Sequence, residues 1–444
     1  MNYNIVLLKR IISEIKRRKS FLKSLHIYTF TNIIETAIPF FLMPILTRLL
    51  STFDYGIIAT FNAIKTNANP VISMATPGAV GRAYYDKDKE GFDFHCYVYN
   101  ALVVNFVLLF AVLLVLSVFK NFIPGIEGIG IFWLFLIPVI VWAAATSNIK
   151  VKLWIYQQHP RNNGIFRVLQ SVAEFGLSIL LVSIFLRSWK GRMIGAGVTE
   201  IAFCFIAVYI LYRYDKLNPV LNVKYIKDIL KFGLPLLPHS FGWMLIWTSD
   251  KYFLNSMVGV STTGVYGVAY ALAAGISLLA APVDTSAEPV IYEKLSNLNE
   301  QIAGKMVVAS YGYFFLLIIA AIVLWLLSPI ILKILVDRKF WGASDFILWI
   351  GLGYSAHGMS RLLNKYINYS KETYLMSYNT FIAGVVAVVA NYGLIKINGA
   401  VGAAQATFIA YVVYFLLTWR TANKLYPMPW FSIFKPKNLK GLFQ

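Results

Sequence analysis

Asn62, Lys65, Thr66 and Asn69 recur at three- and four-residue steps, the spacing that puts side chains on one helical face. Their neighbours are mostly apolar, so this face is a polar stripe on a hydrophobic helix with an ammonium near its middle. A charge at the centre of a membrane helix costs about 2.5–3.5 kcal/mol, which turns such a stripe away from lipid. Arg167, Gln170 and Glu174 repeat the pattern on a later segment. An ammonium and a guanidinium fork are the donors that phosphate oxygens bind best. Lys65, Asn62, Asn69, Arg167 and Gln170 are therefore candidates to line a cationic, phosphate-binding cavity. The competing reading is structural: a Lys65–Glu35 or Arg167–Glu174 pair that only fixes helix packing.

Other charges fall where charge is expensive. At about 1.5 Å per residue, Glu35, Lys65 and Glu174 lie near mid-depth of their segments, and Arg167 and His239 in the inner half. Glu200, Asp250 and Lys251 fall in the outer half. Glu35, Glu174, His239, Asp250 and Lys251 are candidates for ion coupling or gating, with packing or interfacial pairing as the alternative. Trp243 and Trp247 line a cavity or simply pack, and Arg361 and Lys365 read as headgroup anchors.

No phosphate-binding glycine loop, H-E-x-x-H or Cys/His metal spacing occurs, and Cys96 and Cys204 stand far apart. The reading is a non-enzyme without metal or organic cofactor. Its energy source is a proton or sodium gradient, the membrane potential or substrate mass action.

The elements carrying these residues follow from composition. The 444 residues are 58% hydrophobic and only 14% charged, too few charges to coat a water-facing surface. Apolar runs of about twenty residues match the thickness of a bilayer. The expected helices span residues 24–50, 54–76, 95–119, 128–148, 163–186 and 193–214, then 232–258, 262–281, 305–332, 343–365, 372–395 and 399–423. Residues 1–23 read as a basic amphipathic segment on the membrane surface, and 424–444 as a basic tail. The net charge of +20 sits mainly at the N-terminal arm, the tail and alternate loops, which is a topology signal and not a nucleic-acid surface. Both termini are expected to be cytoplasmic.

Ser51-Thr52-Phe53-Asp54-Tyr55-Gly56 resembles Thr262-Thr263-Gly264-Val265-Tyr266-Gly267, and Pro70 with Pro77 matches Pro282 with Pro289. The common offset of about 211 residues indicates a duplicated six-helix unit. Six is even, so the copies are parallel repeats, with lobes at residues 24–215 and 216–423.

Thr47-Arg48-Leu49-Leu50-Ser51 with Asp54-Tyr55-Gly56 resembles the end of the first helix in polysaccharide-export proteins of the multidrug/oligosaccharidyl-lipid/polysaccharide flippase superfamily. The stretch from Lys231 through Phe232-Gly233-Leu234-Pro235 to Ser240, with Ser249-Asp250-Lys251-Tyr252, resembles that family's seventh helix. Gly399 to Thr407 resembles its twelfth. The resemblance covers almost the whole chain and is nearest the O-antigen flippases. It implies an all-α fold of about twelve transmembrane helices in two six-helix lobes, working by alternating access in a bacterial inner membrane. The implied partners are an undecaprenyl-pyrophosphate-linked oligosaccharide and membrane lipids, with association to a polysaccharide polymerase or ligase left open and a monomer as the working form. The pyrophosphate would meet Lys65 and Arg167, neither of which lies in a matched motif. The rival readings are a multidrug exporter of the same superfamily, a lipid II flippase and, from another class, a membrane-embedded polysaccharide polymerase.

Overall fold

Ser51 and Asp54 cap each other reciprocally: the Asp54 N–H donates to Ser51 Oγ at 3.0 Å and the Ser51 N–H to Asp54 Oδ2 at 3.2 Å. This box launches a long helix directly after a preceding one, and similar side-chain caps recur at Asp93, Asn222 and Asn299. The computed structural model describes residues 41–121 and 128–431. The surface segment at 1–23, most of the first helix including Glu35, and the end of the basic tail lie outside the described residues.

Every regular element among the described residues is helical. They are α1 (residues 41–49), α2 Thr52–Ser73, α3 Thr76–Tyr84, α4 Phe94–Phe119, α5 Ile131–Tyr156, α6 Pro160–Leu180 with a π-helical turn Leu181–Leu186, and α7 Trp189–Arg213. There follow α8 Val223–Gly233, α9 Leu237–Met257, α10 Val260–Ala273, α11 Gly275–Ser296, α12 Glu300–Leu335, α13 Ser344–Tyr369 and α14 Tyr374–Leu425.

Eight spans among the described residues are long and apolar enough to cross a membrane. One of them, α14, is about 78 Å long by helical rise, twice what a bilayer needs. It breaks at Gly399 (φ 56°, ψ −139°), a conformation that glycine tolerates, and so makes two crossings. The stripes on α2 and α13 make those helices too polar for the same criterion, although each has a crossing's length. With them, the described residues from 52 to 425 hold eleven crossings. The faces of α4 and α12 confirm the solvent: Phe106, Phe110, Leu114, Leu316, Leu326 and Ile330 are all exposed, which suits lipid and not water. The chain is a multi-pass, all-α membrane protein.

The described residues form two compact units, one of residues 41–49, 68–121 and 130–235, the other of residues 50–67, 128–129 and 236–431. Within the second, the two copies of the repeated motif meet each other. A Cβ on Gly56 would overlap the Val260 carbonyl oxygen, and one on Gly264 would overlap that of Thr52. Gly267 faces Ala59 at an ordinary 3.4 Å from where its Cβ would stand. Small residues thus let α2 and α10 approach closely, as membrane helices do where burial of apolar surface adds no drive.

The proline pairs behave differently in the two copies. After Pro70 the first copy breaks at Met74 (φ 43°) and Ala75 (φ 52°), and Pro77 opens α3. Pro282 and Pro289 instead stay inside the single helix α11, and the break comes earlier, at Ala274.

Candidate functional site

On α2 the stripe divides into an anchored face and an open one. Asn67 Nδ2 donates to the Tyr252 hydroxyl at 3.0 Å, and Thr248 Oγ1 donates to Asn67 Oδ1 at 3.1 Å. One further contact, Asn255 Nδ2 to Thr60 Oγ1 at 2.6 Å, fixes the same face of α2 to α9. With that face held, Asn62, Thr66 and Asn69 remain exposed and Lys65 half-buried. Thr66 bonds only to its own helix, at the Asn62 carbonyl. Among the described residues Lys65 forms no salt bridge, and its postulated partner Glu35 lies outside them. An ammonium at this depth needs a carboxylate, water or an anion, since hydrocarbon would exact the full insertion cost.

The second stripe, on α6, is drawn into the first unit. Gln170 Nε2 donates to Glu200 on α7 at 2.8 Å. Glu174 pairs with Arg192, at 2.7 Å, and Arg192 also donates to Ser178 at 3.0 Å. Arg167 is half-buried and has its own contacts. Arg192 lies in the first turn of α7, and its guanidinium serves α6.

Asp250 is fully buried and Lys251 nearly so, with side-chain exposures of 0% and 11%. The Lys251 ammonium lies 3.0 Å from Asp250 Oδ1, donates to the Trp247 carbonyl at 2.8 Å, and sits 3.8 Å from the centre of the Tyr270 ring. Asp250 Oδ2 accepts from Tyr266 at 2.8 Å and from Thr407 at 3.4 Å. Asn391 donates to the neighbouring Ser249 hydroxyl at 3.1 Å. The Ser249-Asp250-Lys251 triplet therefore ties α9 to α10 and to both limbs of α14, one on each side of the Gly399 break.

His239 is engaged at both ring nitrogens, by Trp243 Nε1 at 3.2 Å and by the Thr380 hydroxyl at 3.4 Å. Trp243 packs at 4.9–5.0 Å against Trp247, Tyr414 and His357. Residue types alone gave no reason to single out His357, which also stacks on Tyr411 at 5.3 Å.

A third charge group was not foreseen. Asp284 on α11 pairs with Arg361 on α13, and Lys365 lies 3.1 Å from Asp284 and 2.6 Å from Glu288. Each helix presents its charges at i and i+4, so two acids face two bases one turn apart. Arg361 and Lys365, expected as headgroup anchors, have carboxylate partners within the protein. The i, i+4 acids Asp284 and Glu288 were the available signal. Lys150, two residues beyond the helix expected at 128–148, is likewise buried, 2.5 Å from Asp215, because α5 runs eight residues further than its apolar stretch suggests.

These features define a helical membrane protein whose embedded charges are gathered in a few discrete clusters. Its fold is shared with transporters of the multidrug/oligosaccharidyl-lipid/polysaccharide superfamily. It is similar to the inward-closed lipid II flippase MurJ, with a TM-score of 0.70 at 15% identity over 95% of this chain and 92% of that one. It is also similar to an inward-facing multidrug-resistance MATE family transporter, with a TM-score of 0.61 at 14% identity over 89% of this chain and 95% of the other. In sequence, an Lsg-locus protein of Haemophilus influenzae is 21% identical over 372 residues, spanning 82% of this chain and 88% of its own. The chain belongs to the polysaccharide biosynthesis protein family, whose profile matches residues 21–294.

Proposed function

We propose that this protein moves a lipid-linked oligosaccharide from the cytoplasmic to the periplasmic leaflet of a bacterial inner membrane by alternating access. The substrate class is a polysaccharide repeat unit, such as an O-antigen unit, on undecaprenyl pyrophosphate. The observation that carries this reading is Lys65: a membrane-depth ammonium, flanked by exposed Asn62 and Asn69, with no salt bridge among the described residues. A diphosphate is a countercharge that such a group binds well. Membership of a polysaccharide biosynthesis family and the flippase fold of MurJ support it. An exporter of cationic drugs would use free carboxylates, whereas Glu174, Asp250 and Asp284 each hold a basic partner.

Coupling to a proton or sodium gradient through Glu35, Glu174 or Asp250 forms part of the proposal. It fails if transport into vesicles survives the collapse of both gradients.

The direct test is deletion of the gene in its source bacterium, followed by mass spectrometry of extracted lipids. Accumulation of the finished lipid-linked unit with loss of surface polysaccharide is the expected result. An unchanged surface with no accumulated lipid would move the assignment to small-molecule export.

A further inference from the structure

The first unit carries a basic pocket of about 460 Å³ apart from the membrane-depth charges. Its walls are the turn after α3, the first turns of α4, and α8. Helix α8 is amphipathic: Tyr225, Ile229 and Gly233 are buried, while Lys224, Lys227 and Lys231 are exposed on the other side. It docks tightly, since a Cβ on Gly233 would overlap the Met74 carbonyl, where the chain breaks between α2 and α3.

The pocket's acids are largely spoken for. Asp228 pairs with Arg82 and accepts from the Tyr97 hydroxyl at 2.8 Å, and Asp86 holds Lys89 at 2.7 Å. Of the pocket's acids only Glu90 forms no salt bridge among the described residues, and neither do Lys224, Lys227 and Lys231. Three ammonium groups at i, i+3 and i+7 thus overlook a cavity with a surplus of positive charge. Where the chain enters α8, just ahead of these lysines, Val220, Leu221 and Val223 are 53%, 65% and 64% exposed. Exposed aliphatic side chains next to lysines mark the headgroup level of a bilayer. A free anion would have no use for those aliphatic side chains.

We propose that this pocket seats the phosphate of an anionic phospholipid headgroup, with the α8 lysines as donors and the exposed aliphatic side chains at the start of α8 against the acyl chains. The inference does not depend on the transported substrate.

The test uses the full chain, purified after equilibration in vesicles of equal phosphatidylglycerol and phosphatidylcholine, with retained lipid quantified by mass spectrometry. Phosphatidylglycerol is expected to be enriched about tenfold over phosphatidylcholine in the wild type, and to fall near parity in Lys227→Gln/Lys231→Gln. Both lysines are exposed, and unchanged size-exclusion elution would show that the variant folds. Arg187→Gln/Lys190→Gln removes two exposed charges remote in sequence and should keep the enrichment. Undiminished enrichment in the α8 variant overturns the proposal, as does an equal loss in the control variant. Displacement of the lipid by micromolar inorganic pyrophosphate also overturns it, because the pocket would then be a site for free anions.

Discussion

Tyr266 donates its hydroxyl proton to Asp250 Oδ2 at 2.8 Å, and both side chains are completely buried. The carboxylate is thereby shared between the adjacent Lys251 ammonium and two hydroxyls from other helices. Removing one partner of a buried ion pair leaves the other charge uncompensated, which costs about 3–5 kcal/mol. Asp250→Ala should therefore cause a large loss of thermal stability in detergent. Asp250→Ala combined with Lys251→Met should recover most of it, because no stranded charge remains. If the double variant melts as low as the single one, the pair is not what the carboxylate serves.

The crossing of α2 and α10 yields a sharper contrast within three residues. Gly264→Ala would drive a methyl into the Thr52 carbonyl oxygen, a backbone atom that cannot swing aside. Gly267→Ala places its methyl 3.4 Å from the Ala59 Cβ, an ordinary contact. The first should abolish recovery of folded protein, or cost about 2 kcal/mol or more if the helices yield. The second should change stability by less than about 1 kcal/mol. Equal melting temperatures for the two variants would mean that the close approach is absent.

How much of this was legible in the residues depended on whether one helix or two had to be known. The apolar runs, the stripe around Lys65 and the repeat that pairs Gly56 with Gly267 are properties of single segments, and period and length reveal them. Which helix a polar face meets is a tertiary fact. Glu174 takes Arg192 from the next helix, 18 residues away, and Asp284 takes Arg361 from 77 residues away; the spacing of Asp284 and Glu288 marks an acidic face but does not name its partner. The end of α5 was misplaced for another reason: an apolar run ends where side chains turn polar, whereas a helix ends where its backbone does. The α5 backbone continues to Tyr156 and carries Lys150 into the protein, where Asp215 and the Trp154 ring receive it.

The ladder of Asp284, Glu288, Arg361 and Lys365 separates two acids of similar type. Asp284 serves both bases and its side chain is 18% exposed, whereas Glu288 serves only Lys365 and is 43% exposed. Exposed pairs contribute about 1 kcal/mol or less. Asp284→Asn should cost about 2–3 kcal/mol, since it leaves Arg361 without a carboxylate. Glu288→Gln should stay within about 1 kcal/mol of the wild type. Melting curves of the two variants decide the ranking, and a larger effect at Glu288 would refute the sharing seen at Asp284.

Lys65 tests the transport reading itself, because its position separates function from folding. The anchoring bonds of α2 run from Asn67 and Thr60 to α9, and none involves Lys65. Lys65→Ala should therefore insert and melt like the wild type. A charge-assisted hydrogen bond contributes about 1.5–3 kcal/mol, so losing one to a diphosphate should slow export by roughly ten- to a hundredfold. Lys65→Arg keeps the charge but replaces a compact ammonium with a planar fork, and partial recovery is the expected outcome. Surface polysaccharide measured in strains with matched protein levels gives the answer. Normal export by Lys65→Ala would remove the central cation from the mechanism, while a fall in melting temperature would show that the ammonium holds the helices and not the substrate.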